Sequence, residues 1–169
     1  MRTANRLSPV TLPLLVMFSA IATYAAEPRV ADRIVIEKSK RTMMLMKGEK
    51  ILKAYRIALG SAPLGRKERM GDHKTPEGHY VIDARNPQSR FHLSLHISYP
   101  NRQDRDNAKR IGVDPGGAIM IHGIGAKYGW LGPLHRQTDW TDGCVAVTNE
   151  EIEEIWRLTP IGAPVDIRP

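Results

Sequence analysis

The sequence has a single cysteine, Cys144, in 169 residues. One thiol makes no internal disulfide, so the fold needs no crosslinked scaffold and must rest on an apolar core. Beyond Tyr24 no apolar stretch approaches the ~20 residues of a membrane span, which excludes a polytopic helical membrane protein. Internal repeats and low-complexity tracts are absent, which excludes a solenoid and a disordered spacer. No basic run is interleaved with aromatics, so nothing marks a nucleic-acid surface. Nor does any His/Cys spacing match a zinc site: His73 and His79 stand near Asp72 in an otherwise basic loop. Neither a metal nor an organic cofactor is expected.

What is present begins at the N-terminus. Arg2 and Arg6 lead into a mostly apolar, uncharged segment from Leu7 to Tyr24, and Thr23-Tyr24-Ala25-Ala26 offers small residues for cleavage. That is the pattern of a secretory signal peptide. Pro9 and Pro13 interrupt the segment and argue against the alternative, a retained anchor. Residues 1–25 are therefore expected to be a signal peptide and 26–169 one exported domain, located in the periplasm or cell envelope. Its roughly 143 residues suffice to bury about two-thirds of the unfolded surface. A free thiol in an oxidising compartment is a liability unless its reactivity is used; an inert buried cysteine and an intermolecular disulfide are the alternatives. The formal net charge is +7, including Arg2 and Arg6. Such basicity suits an anionic partner. For an exported protein a carboxylate-rich wall polymer fits better than nucleic acid, and a solvated basic face with no partner is the alternative.

Along the chain, Arg33–Glu37, Thr42–Met46 and Ile51–Leu59 read as strands, with a hairpin turn at Lys47-Gly48-Glu49-Lys50. In the third strand Ile51, Lys53, Tyr55, Ile57 and Leu59 alternate with Leu52, Ala54, Arg56 and Ala58, giving one more apolar face. A Gly- and Pro-rich basic loop runs from Gly60 to Gly78. His79–Asp83 reads as a strand. So does Phe91–Tyr99, with Phe91, Leu93, Leu95, Ile97 and Tyr99 on one face and His92, Ser94, His96 and Ser98 on the other. The polar connection from Asn101 to Gly117 contains a helical turn near Asp106–Arg110. Ala118–His122 and Val145–Val147 are short strands. Thr148 with Glu151 forms a capping box for a helix whose Ile152, Ile155 and Trp156 make a buried stripe. Pro160 and Gly162 end it, and Pro164–Ile167 is a last strand. The class is mainly β with one main helix (α+β).

The chemistry converges on Ile121–Asn149, where His122-Gly123 and Gly143-Cys144 stand at either side of a glycine-rich spacer. A cysteine attacks as its thiolate and needs a base to take its proton. His122 is the candidate base, with the Gly123 carbonyl as orienter of its ring. Gly143 permits a tight turn that directs backbone N–H groups, its own included, to an oxyanion. These parts suit acyl transfer through a thioester.

The same residues resemble the L,D-transpeptidase catalytic-domain (YkuD-like) family. His122 matches its first histidine. Thr141-Asp142-Gly143-Cys144-Val145-Ala146-Val147-Thr148-Asn149 matches its nucleophile motif, usually Ser/Thr-His-Gly-Cys. Gly71-Asp72-His73-Lys74-Thr75-Pro76-Glu77-Gly78 matches its Gly-Asp-x-x-Thr-Pro-x-Gly loop, while Ser39–Thr42 and Gly162–Val165 match its opening and last strand. The resemblance implies a β-sandwich catalytic fold. It also implies an enzyme in which Cys144 attacks the residue-three carbonyl of a peptidoglycan tetrapeptide stem, with release of D-Ala. The acyl group then passes to an amine of a second stem, to a lysine of a wall-anchored lipoprotein, or to water. Carbapenems would acylate the same cysteine. An L,D-carboxypeptidase or amidase on this fold, and a non-catalytic wall-binding module, are the alternatives. No oligomeric state is specified.

The departure from the pattern is Asp142, where the family usually carries histidine. A carboxylate beside the thiol opposes thiolate formation unless it pairs elsewhere, with His135, Arg136 or a substrate ammonium. Asp142, Thr141, Tyr99 and Trp140 are assigned to substrate binding, with packing the alternative for Trp140. His92 and His96 face solvent or the groove, and His135 is expected at the surface. The spacer with Tyr128 and Trp130 either closes over the groove or is an ordered loop with a core tryptophan. Arg102, Arg105, Lys109 and Arg110 line an acidic-substrate groove or form a solvated face.

Overall fold

The computed structural model describes residues 30–169, so the expected signal peptide lies outside the described residues. The strands are β1 (Arg33–Glu37), β2 (Thr42–Lys47), β3 (Lys50–Arg56), β4 (Gly78–Ser89), β5 (His92–Ile97), β6 (Met120–His122), β7 (Val145–Ala146) and β8 (Pro164–Arg168). Helices α1 (Arg102–Ile111), α2 (Gly125–Tyr128) and α3 (Asn149–Leu158) accompany them, with a 3-10 segment over Gly129–Gln137. The eight strands make one sheet in the order β3-β2-β1-β8-β4-β5-β6-β7. The two faces of the implied sandwich are thus two halves of one sheet. They are joined through β4, whose start pairs with β8 and whose remainder pairs with β5.

The sheet curls until its edges meet. β3 was expected to run to Leu59. It ends at Arg56, and Ile57–Leu59 leave it for the far edge, where Ala58 exchanges both backbone hydrogen bonds with Ala146 (3.0 and 2.9 Å). A bulge between Leu45 and Met46 shifts the β2–β3 register. Such a slip turns side chains to the other face, and Ile51, expected inside, is exposed. Residues from both halves, including Ile36, Leu45, Ile97, Ile121, Val145 and Ile167, form one core cluster.

The expected strand at His79–Asp83 proves to be the first part of a twelve-residue strand. Its extension, Ala84–Ser89, has no apolar alternation and is held by hydrogen bonds to β5 across two bulges. The expected turn near Asp106 is a ten-residue helix, α1, with its own capping box: Asn101 Oδ1 accepts from the Asp104 N–H (3.0 Å), and Asp104 Oδ2 accepts from the Asn101 N–H (3.1 Å). Only Asp104 and Ala108 of α1 are buried, so no apolar stripe announces it. In α3 the Thr148–Glu151 capping box forms as the sequence implies. Ile152 and Ile155 are fully buried, a contribution of about 1.5–3 kcal/mol each. No helix among the described residues is long and apolar enough to cross a membrane.

Candidate active site

Strands β6 and β7 run parallel, with His122 opposite Ala146. Cys144 lies two residues before Ala146, and side chains two apart in a strand share a face. The register therefore turns His122 and Cys144 to the same side, where both line a groove of about 420 Å³.

His122 is 1% exposed. Its Nδ1 lies 2.6 Å from the Gly123 carbonyl oxygen. A carbonyl only accepts, so Nδ1 carries the proton and Nε2 of the neutral ring is left as the acceptor. Phe91 stacks on the imidazole at 4.3 Å, and Trp140 meets it edge-on at 5.9 Å. Burial depresses the His122 pKa to about 4; the Gly123 carbonyl opposes the shift and Arg90 adds to it. At neutral pH the ring is uncharged. Gly123 has no room for a side chain, since a Cβ would stand 2.6 Å from Asn149 Oδ1. That same oxygen accepts from the N–H groups of Ile124 (2.9 Å) and Gly125 (3.1 Å), so Asn149, at the start of α3, fixes the loop leaving His122.

Cys144 is half-buried, and its S–H faces the Ala118 carbonyl at 3.5 Å. Burial raises the thiol pKa; the Met120 backbone N–H pulls it down and the Asp142 charge adds to the rise. Both groups of the groove therefore rest neutral, as thiol and imidazole, rather than as a thiolate–imidazolium pair. The turn before Cys144 depends on Gly143, whose φ is 122° and whose Cβ would stand 2.6 Å from the Lys74 carbonyl oxygen. An L side chain is strained there and has no space.

Four expectations change. The Gly143 N–H, expected to face an oxyanion, is directed to Thr141 Oγ1 at 3.2 Å. Thr141, expected to touch substrate, is 4% exposed and donates its hydroxyl to the Cys144 carbonyl at 2.8 Å, so it braces the turn from within. Tyr99 is a core residue, not a groove residue: it packs edge-on against Tyr80, and its hydroxyl donates to the Pro115 carbonyl at 2.9 Å. His135 is buried rather than at the surface. Its Nδ1 accepts from Trp140 Nε1 at 3.4 Å, its Nε2 has no partner among the described residues, and burial lowers its pKa to about 4.

Trp140 does line the groove and touches Phe91, His122 and His135. Asp142 also lines it. Its partner is neither His135 nor Arg136 but His73, with Nδ1 and Oδ1 2.8 Å apart, while Arg136 pairs with Glu151 at 2.9 Å. His92 and His96 pair with Glu153 and Asp83. Arg102 on α1 pairs with Asp106. Trp130 is exposed rather than in the core. Among the described residues no three His, Cys, Asp or Glu converge as metal ligands. Asp72 is enclosed instead: burial would raise its pKa, but Lys67 (2.7 Å) and three backbone N–H groups hold it down at about 2. Sequence reasoning missed Arg90 and Phe91, which reach the site from the β4–β5 turn, and His73, which reaches it from the loop before β4; Asn149 was visible only as the end of the nucleophile motif.

The family model of the YkuD L,D-transpeptidase catalytic domain matches residues 31–167, a span that includes the His122 and Cys144 strands and the loop between them. The chain belongs to the L,D-transpeptidase catalytic-domain family. It is 34% identical over 131 residues to YafK of Escherichia coli (strain K12), whose name places it among the L,D-transpeptidases; the match covers 74% of this chain and 46% of that protein. Among solved structures it resembles the helical cell shape determining protein Pgp2 of Campylobacter jejuni (K307A mutant; TM-score 0.61, 25% identity, 79% of this chain and 45% of that one). It also resembles Bd1075 of Bdellovibrio bacteriovorus (TM-score 0.55, 27% identity, 84% and 49%). A Mycobacterium smegmatis L,D-transpeptidase shares the fold (TM-score 0.53, 11% identity, 80% and 58%). The chain spans a little under half the length of the first three.

Proposed function

We propose that this L,D-transpeptidase-family chain is an exported cysteine acyltransferase of peptidoglycan, with residues 1–25 directing export and 26–169 forming the catalytic domain. The observation that carries the reading is a half-buried thiol and a neutral, tautomer-fixed imidazole lining one groove, with His122 on β6 and Cys144 just before its parallel partner β7. His122 Nε2 takes the Cys144 proton as Sγ bonds to the residue-three carbonyl carbon of a tetrapeptide stem. Proton transfer on demand suits this pair, because burial disfavours separated charges at both groups. The tetrahedral oxyanion faces the turn 142–144. The Cys144 N–H is the donor assigned to it, and the Gly143 N–H reaches it only by leaving Thr141 Oγ1. As the carbon–nitrogen bond breaks, D-Ala departs with the proton held by His122. The thioester is then attacked by an amine, whose proton passes to His122 and on to the Sγ leaving group. Water in place of the amine gives hydrolysis. No step calls on a metal or cofactor.

Of the residues lining the groove, Arg90 is the sole Lys or Arg and Asp142 the sole carboxylate. Such a surface suits a stem peptide that carries both signs of charge. Incubation with tetrapeptide-containing muropeptides tests the reading. Cross-linked dimers are the expected product; tripeptides alone assign a carboxypeptidase, and no turnover assigns a binding module. Intact mass after carbapenem treatment should show one adduct, lost in Cys144→Ala.

A further inference from the structure

Asp142 stands between two depressions. One is the cysteine groove. The other, of about 310 Å³, is lined by Lys67, Met70, Gly71, His73 and Gly116, and shares Gly117 and Asp142 with the groove. The charges in the second depression are unequally matched. Lys67 is buried, with its Nζ 2.7 Å from Asp72 and 3.0 Å from the Arg69 carbonyl oxygen, so its charge is already neutralised. The Asp142 side chain is 91% exposed, and its ionic partner among the described residues is an imidazole, not a Lys or Arg.

The position of that imidazole is imposed by the loop. His73 has φ 53°, unusual for a residue with a Cβ. Its carbonyl accepts from the Ala62 N–H at 3.1 Å and occupies the space a side chain on Gly60 would need. On either side the loop is pinned from inside. Lys38 Nζ, itself 2% exposed, donates to the carbonyls of Gly65 (2.7 Å) and Thr75 (3.0 Å) and to Glu77 (2.7 Å). Asp72 is enclosed as described above. The imidazole therefore approaches Asp142 from a pinned loop and engages Oδ1, so Oδ2 has no partner among the described residues, and Asp142 lines the groove.

We propose that Asp142, oriented by His73, is an ammonium subsite that reads a primary amine carried next to the carbonyl joined to Cys144. This rests on the acyl-transfer reading above and names the chemistry it selects. The amine comes from one of two sources: the side chain of residue three of the acyl donor, a diamino acid (meso-diaminopimelate) in the stem of that reading, or the attacking amine of the acceptor. When the amine is the donor's, it also acts on the thiol, because an exposed carboxylate two residues from the nucleophile opposes negative charge on Sγ until a cation docks. Recognition of the amine thus also removes an obstacle to attack.

The test uses the full chain with Cys144→Ala, which binds without turnover, and a tetrapeptide stem whose residue-three side-chain amine is free or acetylated. Calorimetry should give about fivefold tighter binding of the free amine, the range of an exposed carboxylate–ammonium pair. Adding Asp142→Asn should bring the two peptides to equal affinity, with the melting temperature unchanged. In the active enzyme with an acetylated donor, a KM for the free acceptor amine that rises about fivefold in Asp142→Asn assigns the subsite to the acceptor. Preference for the free amine undiminished by Asp142→Asn, or neither an amine preference in calorimetry nor a KM shift in turnover, overturns the proposal. If a carbapenem labels Cys144 while no amine preference exists, only the subsite fails; if Cys144 is unlabelled and no stem peptide binds, the acyl-transfer reading fails as well.

Discussion

His122 and His135 invite comparison. Both are buried, both touch the ring of Trp140, and burial lowers the pKa of both to about 4. Their nitrogens differ. His122 sits on β6 with Nδ1 bound to a backbone carbonyl and its ring lining the groove that holds Cys144. His135 sits on the 3-10 segment and lines another, mostly apolar depression with Ile124, Leu131 and Leu134; its Nε2 is buried with no partner among the described residues. A depressed pKa is therefore no mark of a base by itself. What separates the two is which nitrogen carries the proton and what the other faces: His122 donates from Nδ1 and keeps Nε2 as an acceptor, whereas His135 accepts at Nδ1, which leaves the proton on Nε2.

The sharpest way to break the comparison is activity. His122→Ala should lower kcat/KM on a tetrapeptide stem by about 10²–10⁴-fold, the usual worth of a general base, whereas His135→Leu should stay within about threefold. Steady-state release of D-Ala measures both, and equal losses would erase the distinction. Next is stability against pH. Each ring has a folded pKa below its unfolded value of 6.5, so the unfolded state binds the extra proton and stability falls as pH drops from 6.5 to about 4. For His122 the full loss is on the order of 3 kcal/mol at 1.36 kcal/mol per pKa unit. Chemical denaturation at pH 7 and pH 4 should show it, and the loss should shrink in His135→Leu while that variant keeps its activity. The smallest effect is expected from Phe91→Ala. Removing the stacked ring at 4.3 Å admits water, moves the His122 pKa towards 6.5 and shifts the acid limb of kcat/KM upward. An unmoved limb would mean that Phe91 does not control the burial of His122.

Much of the fold was legible in the sequence where neighbours along the chain decide the outcome. The β2–β3 hairpin, the Thr148–Glu151 capping box and the buried Ile152 and Ile155 follow from turn residues, side-chain reach and helical spacing. Helix α1 reads as no more than a turn because only Asp104 and Ala108 of it are buried and no apolar stripe marks its length, and the far half of β4 goes unread because it lacks alternation. At the site, the His122-Gly123 and Gly143-Cys144 pairs were visible as types in order. Tyr99 was misassigned because period-two alternation says only which face a residue takes, and that face proved to be the core.

By itself, then, the sequence determined the parts: a lone thiol, a histidine followed by glycine, and a glycine before the thiol that permits a tight turn. Tertiary structure alone decided their surroundings. It curled the sheet so that Ala58 meets Ala146. It brought His73 to Asp142 across 69 residues of chain, and it buried His135 beside Trp140. The physical reason is reach. Turns and caps are settled within a few residues, whereas the partner of a charge and the burial of a ring depend on which distant surfaces the apolar core draws together.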